Sequence, residues 1–237
     1  MRPRHAARKL PSGENYVSIG FKQLRKTIGE VKLFPETLKF LIAYFLYNDG
    51  IQTVIAVAST FAAAPLIQGG LELEQQTLIA VILMIQFVAF GGALFWGKLA
   101  NWVGAKRSIL ISLVIWAGVT IFAYFGLKGD TRVLQFWVLG FFIALVMGGS
   151  QAISRSLFAQ MVPTGKEAEF FSFYEISERG TSWIGPMLFG LVNQQFGNLR
   201  PAILSLIFFF VMGLILLPFV NVKKAIDDVK ANEITEN

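Results

Sequence analysis

The chain has 237 residues, 54% of them hydrophobic, 14% aromatic and 15% charged, with a mean hydropathy of +0.58 and a formal charge of +6. A soluble chain carries about a quarter charged residues, so this composition excludes an ordinary soluble domain. The absence of cysteine excludes a disulfide framework and a thiolate metal site.

Residues 1–34 form a basic segment. The single histidine, His5, lies in its polar start, and no apolar run follows closely enough to read as a cleavable signal peptide. Over 17–34, Phe21, Leu24, Ile28 and Val31 recur at helical spacing while Lys22, Arg25, Lys26 and Lys32 fill positions between them. This pattern predicts an amphipathic helix on the membrane surface. A basic linker held near anionic lipid by charge alone is the alternative.

The charge-free runs Gly50–Leu71, Gln75–Gly97, Ser108–Leu127, Val133–Ser154, Gly180–Leu199 and Pro201–Val222 are each 20 to 23 residues long. At ~1.5 Å per residue each can cross a hydrocarbon core of ~30 Å. They predict six transmembrane helices at about 37–64, 73–97, 106–127, 133–157, 167–196 and 199–222, within a membrane domain 35–222 and ahead of a tail 223–237. Period-two alternation is absent, which argues against a β-barrel. Basic residues concentrate in 1–34, in the second and fourth loops and in the tail. Only Lys128, Arg132 and Arg200 lie on the other side. The positive-inside rule then places both termini in the cytoplasm, and it accounts for the net charge without nucleic acid.

The spans differ in polarity. The third and the last are apolar nearly all round, which suits a lipid-facing periphery. The first carries Tyr44, Asn48 and Gln52 on one row and Asp49 and Thr53 on the adjacent one. The fourth carries Gln151, Ser154 and Arg155, and the fifth Glu175, Glu178 and Arg179. Ionisable groups at membrane depth cost several kcal/mol unless they face a bundle interior or water, so these three helices are expected to surround a polar volume. Glu175 and Arg179 are placed to pair along one helix face, an arrangement that is as readily structural as functional. Asp49 lies ~15 Å inside its span. It is either an interhelical hydrogen-bonding group or a binder of substrate or a coupling ion.

Between the second and third spans stands G97-K-L-A-N-W-V-G-A-K-R107. It resembles the cytoplasmic-loop signature of the major facilitator superfamily, matched at Gly97, Gly104, Lys106 and Arg107, with Asn101 where the family has an aspartate. Gly97 is expected to let helices approach, Gly104 to permit the turn, and the two cations to anchor to the cytoplasmic face. The stretch G180-T-S-W-I-G-P-M-L-F-G190 is similar to a Gly-Pro motif of the fifth helix, with Gly185-Pro186 softening the helix and Gly190 allowing close packing. The strings F45-L-Y-N-D-G-I-Q-T53, G148-G-S-Q-A-I-S-R-S-L-F-A-Q-M-V-P163 and E169-F-F-S-F-Y-E175 resemble the C-terminal half of the vacuole-effluxer branch of that superfamily.

The resemblance implies an all-α integral membrane fold, one six-helix half built as a 3+3 inverted repeat. It implies alternating-access movement of amino acids or similar small solutes, with proton coupling as one option, and a cavity lined by Tyr44, Asn48, Asp49, Gln52, Gln151, Ser154 and Arg155. Such a carrier has two halves. The expected partners are therefore the small-molecule substrate, membrane lipid, and either a second copy or a separate N-terminal half. A prokaryotic plasma membrane is the expected location. A non-transporting assembly or regulatory subunit is the alternative reading. An enzyme is not expected: the spans hold no His or Cys, no Ser-His pair and no metal-ligand cluster, and no cofactor is implied.

Overall fold

A computed structural model describes residue 29, residues 33–180 and residues 183–236; for 176–180 and 232–236 it describes the backbone alone. The surface helix expected over 17–34 therefore lies almost wholly outside the described residues.

Helix α1 spans Pro35–Ala63. Pro35 occupies its first turn, where an N–H would have no partner anyway, and Glu36 adds the negative charge that a helix start favours. The helix stops where Ala64, in extended conformation, precedes Pro65, whose ring disfavours a helical residue before it. Leu71 and Leu73 then hydrogen-bond back to Phe61 and Ala62, burying both leucines at the far end of α1.

Helix α2 (Gln75–Val103) continues six residues beyond the end expected from hydropathy, so Gly97 and Asn101 are helical rather than part of a loop. Gly104 alone makes the turn, at φ +90°, where a side chain would be strained. Helices α3 (Ala105–Phe125) and α4 (Arg132–Ala159) follow. Over the expected fifth helix the described residues form two helical stretches, α5 (Glu167–Gly180) and α6 (Ile184–Phe196), with 181–182 between them outside the described residues. The last expected span is α7 (Leu199–Ser205), α8 (Ile207–Leu216) and a 3-10 turn over Leu217–Phe219. The tail is helical too, as α9 (Val222–Glu236), with Ala225 and Val229 buried.

Among the described residues five segments are long and apolar enough to cross a membrane: Pro35–Ala63, Gln75–Val103, Ala105–Phe125, Arg132–Ala159 and Leu199–Phe219. The expected fifth span is not among them. Its first part carries Glu175, Glu178 and Arg179, and its second part starts afresh at Gly185-Pro186.

The packing turns on small residues. Gly50 on α1 lies against Phe209 and Phe210 of α8, and Gly213 of α8 lies against Tyr47. Between α2 and α4, Gly92 faces the Leu145 carbonyl, Gly148 faces that of Ala89, and the Trp96 indole N–H donates to the Leu145 carbonyl at 2.8 Å. The third and last spans are not simply peripheral. Ile109, Leu113 and Trp116 of α3 and Phe209 and Phe210 of α8 are fully buried, with Trp116 stacked on Phe210. Of the five segments named above, the most uncovered is α2, which buries only Val81, Gly92 and Trp96 among the described residues and exposes Phe87 and Phe90.

Candidate functional site

Four contacts bring α1, α4, α5 and α6 together around the polar rows of α1. Tyr44 stacks on Tyr174 of α5 with ring centroids 4.4 Å apart. Tyr47 and Ser154 of α4 share a hydrogen bond of 2.7 Å. The Asp49 Oδ2 accepts the backbone N–H of Gly185 at 2.6 Å, at the start of α6. Arg155 reaches Glu175 at 3.2 Å and lies over the Phe171 ring.

These contacts sort the residues singled out in the sequence. Tyr44, Asn48, Asp49 and Ser154 are at most 2% exposed. Gln52 and Gln151 are half-buried, and Arg155 is exposed. The Oδ1 atoms of Asn48 and Asp49 are buried without a hydrogen-bond partner among the described residues. Glu175 is paired across helices with Arg155. The side chains of Glu178 and Arg179, and with them the expected Glu175–Arg179 pair, lie outside the described residues.

Asp49 is held from several sides. Thr53, one turn on, donates its hydroxyl to the Asp49 carbonyl at 2.7 Å. Gly185 fits because a Cβ there would run into the Thr53 side chain and sit 3.1 Å from the Asp49 carbonyl. Pro186 falls in the first turn of α6, where its missing N–H removes no helical hydrogen bond. It stands two residues inside the described start of α6. Gly190 is exposed and faces open space among the described residues, so it packs against none of them.

At the near end, where α1 begins, the loop motif departs from its sequence reading. Gly97 is exposed with no described atom within 4 Å of a Cβ position, so it brings no two helices together here. Asn101 and Arg107 are exposed. Lys106 donates to the carbonyls of Pro218 and Val220, at 2.7 and 2.9 Å, which ties the start of α3 to the end of the last span. Gly97, Asn101, Ser156 and Gln160 line a groove of about 420 Å³ between α2 and α4.

Sequence reasoning missed Tyr47 and Tyr174, which join Phe40, Phe158 and Phe171 in one aromatic cluster. The spacing Phe40, Tyr44, Tyr47 on one helix face was the available signal. It also missed Glu36, which pairs with Lys39 and accepts the Asn221 N–H at the start of α9.

A model of the family described as Atg22-like vacuole effluxers matches residues 1–230. The chain belongs to the Atg22-like vacuole effluxer family. An uncharacterized MFS-type transporter of Bacillus subtilis, YxiO, is 34% identical over 200 residues, covering 84% of this chain and 44% of that protein. Autophagy-related protein 22 of Saccharomyces cerevisiae is 31% identical over 213 residues, covering 88% of this chain and 39% of the yeast protein. Autophagy-related protein 22-1 of Penicillium rubens is 30% identical over 232 residues, covering 94% and 38% respectively. The chain thus spans less than half the length of these relatives of the effluxer family. No solved structure matches it.

Proposed function

We propose that this effluxer-family chain forms one six-helix half of a major-facilitator carrier, with α5 and α6 together making the discontinuous fifth span of a 3+3 repeat. It pairs with a second six-helix unit, either another copy or a separate half. The pair moves amino acids or similar small solutes by alternating access, with both ends of the chain on the cytoplasmic side. Proton coupling, if the carrier uses it, falls to Asp49.

The observation that supports this reading is a carboxylate inside the first apolar span, 2% exposed, that accepts the backbone N–H of Gly185 beside the described start of α6. A charge or polar group buried there is costly and marks a pathway more often than a scaffold. Interrupted spans are how carriers place backbone dipoles beside a substrate or coupling ion. Tyr44, Asn48, Gln52, Gln151, Ser154 and Arg155 lie on the helices around it and are the residues proposed to line the cavity once it opens. The uncovered flanks of α2 and α6 are where the second unit would sit.

The test is transport. The chain is co-expressed with a six-helix N-terminal half, reconstituted in liposomes, and followed by uptake of labelled amino acids. Uptake above protein-free liposomes is expected, and its fall to background in Asp49→Asn. Uptake unchanged in Asp49→Asn removes the coupling role, and no uptake from the intact pair overturns the carrier reading.

A further inference from the structure

Helix α6 is held to the bundle in an unusual way. Among the described residues Gly185 is the one fully buried position of α6; Ile184, Leu188 and Phe189 pack half-buried against the core, while Trp183 beside its start and Met187, Leu191 and Phe196 along it are exposed. No side chain of its own caps its first turn. Helix starts leave N–H groups that need acceptors, and Pro186 supplies no N–H. The Gly185 N–H finds its acceptor on another span, in Asp49, 136 residues away in sequence. Thr53 and the Asp49 carbonyl fill the space a side chain at 185 would need, so the fit is set for glycine. The second carboxylate oxygen of Asp49 makes no hydrogen bond among the described residues, which leaves the Gly185 bond as the one that fixes the carboxylate.

We infer that Asp49 is a latch: its carboxylate pins the start of α6 to α1, and breaking that one bond lets α6 swing away and uncover the Asn48–Asp49–Thr53 face of α1. Asp49 is thereby a positioning residue for a moving element, and what the latch requires is an acceptor oxygen rather than a charge. Its place in a transport cycle rests on the carrier reading. The latch itself does not.

The test uses the full chain in lipid nanodiscs. The natural sequence has no cysteine, so spin labels go only where they are introduced. Labels at Ala56→Cys on α1 and Leu191→Cys on α6 report the latch by pulsed electron–electron distance measurement. Labels at Ile82→Cys on α2 and Val114→Cys on α3 report the rest of the bundle. The natural chain and Asp49→Asn, which keeps an acceptor oxygen, are expected to give the same narrow α1–α6 distribution. Asp49→Ala is expected to broaden it toward longer distances while leaving the α2–α3 pair unchanged. An Asp49→Ala distribution as narrow as the natural one overturns the latch, and so does an Asp49→Asn distribution as broad as that of Asp49→Ala.

If Asp49→Ala also broadens the α2–α3 pair, hydrogen exchange of the unmutated chain decides. The amides of α6 are expected to exchange together and well ahead of those of α8, and equal protection in the two helices overturns the latch. Failed uptake with a released α6 would sink the carrier and keep the latch. Normal uptake with an unmoved α6 would do the reverse.

Discussion

The hydroxyl of Ser154 has one proton and two neighbours. It donates to the Ser150 carbonyl at 2.6 Å, so the 2.7 Å contact with Tyr47 has the phenol as donor. The two deletions are therefore not equivalent. Tyr47→Phe removes a donor and leaves Ser154 bonded to its backbone partner, a loss of about 1 kcal/mol. Ser154→Ala leaves a fully buried phenol with no acceptor, at a cost of about 1–3 kcal/mol. Thermal unfolding in detergent, followed by tryptophan fluorescence, should show the larger drop in midpoint for Ser154→Ala. Adding Tyr47→Phe to Ser154→Ala should recover part of it, because the orphaned group is then gone. A double variant as unstable as the sum of the singles would mean that the bond does not couple the two helices. At this scale the sequence is a partial guide. The polar residues of α1 stand out in an apolar run, but whether Ser154 meets Tyr47, or Asp49 meets Gly185, depends on pairings more than a hundred residues apart.

For the helices, what was legible followed from length and apolarity, and what was not followed from their limits. The spans expected over 37–64, 106–127, 133–157 and 199–222 fall within a few residues of α1, α3, α4 and the α7–α8 segment, while that over 73–97 stops six residues short of the end of α2. Gly185-Pro186 stands near the described start of α6, and a proline reads equally as a kink within one helix or as the start of a second. Helix α9 escaped because its polar residues look like a solvated tail; the Glu36 contact that holds its start is not written near it. Apolarity all round also fails to separate core from lipid, since a tail and a leucine are equally apolar. That is why α3 and α8, expected at the periphery, carry buried faces while α2 is largely uncovered.

Glycine gives a sharper test of the same packing. Gly92 faces the Leu145 backbone, whereas Gly118 on α3 has no described neighbour at its Cβ position. Gly92→Leu forces α2 and α4 apart and should cost at least about 1–3 kcal/mol. Gly118→Leu should be neutral or slightly stabilising, because a helix-interior glycine costs roughly 0.5–1 kcal/mol against alanine. Folded yield and unfolding midpoint in detergent check the pair, and equal effects would contradict the α2–α4 packing.

Over the whole molecule, cations that hydropathy assigns to loops fasten the two ends of the bundle. Arg200 donates to the carbonyls of Tyr124, Gly126 and Leu127, closing the far end of α3, as Lys106 closes the near end of the last span. Both use a cation where helix carbonyls run out of partners. Three carbonyls need a planar fork, so Arg200→Lys should lower the unfolding midpoint nearly as far as Arg200→Gln.

The flanks between these ends bear on assembly. Exposed apolar side chains on α2 carry no message in a membrane, because lipid satisfies them. Exposed glycines do carry one. Gly91 on α2 and Gly190 on α6 face open space among the described residues, and each lowers the stability of its own helix without packing against any of them. Small residues on an outer face let another helix approach closely. If α2 meets a second six-helix unit, Phe87→Cys, one turn from Gly91 and 79% exposed, should cross-link to that unit in native membranes. Adding Gly91→Ile should abolish the cross-link while leaving the unfolding midpoint of the isolated chain unchanged, since no described residue occupies that space. Should Phe87→Cys instead react with a lipid-soluble maleimide equally well with and without the second unit, α2 faces lipid, and the pairing surface must be sought on α6.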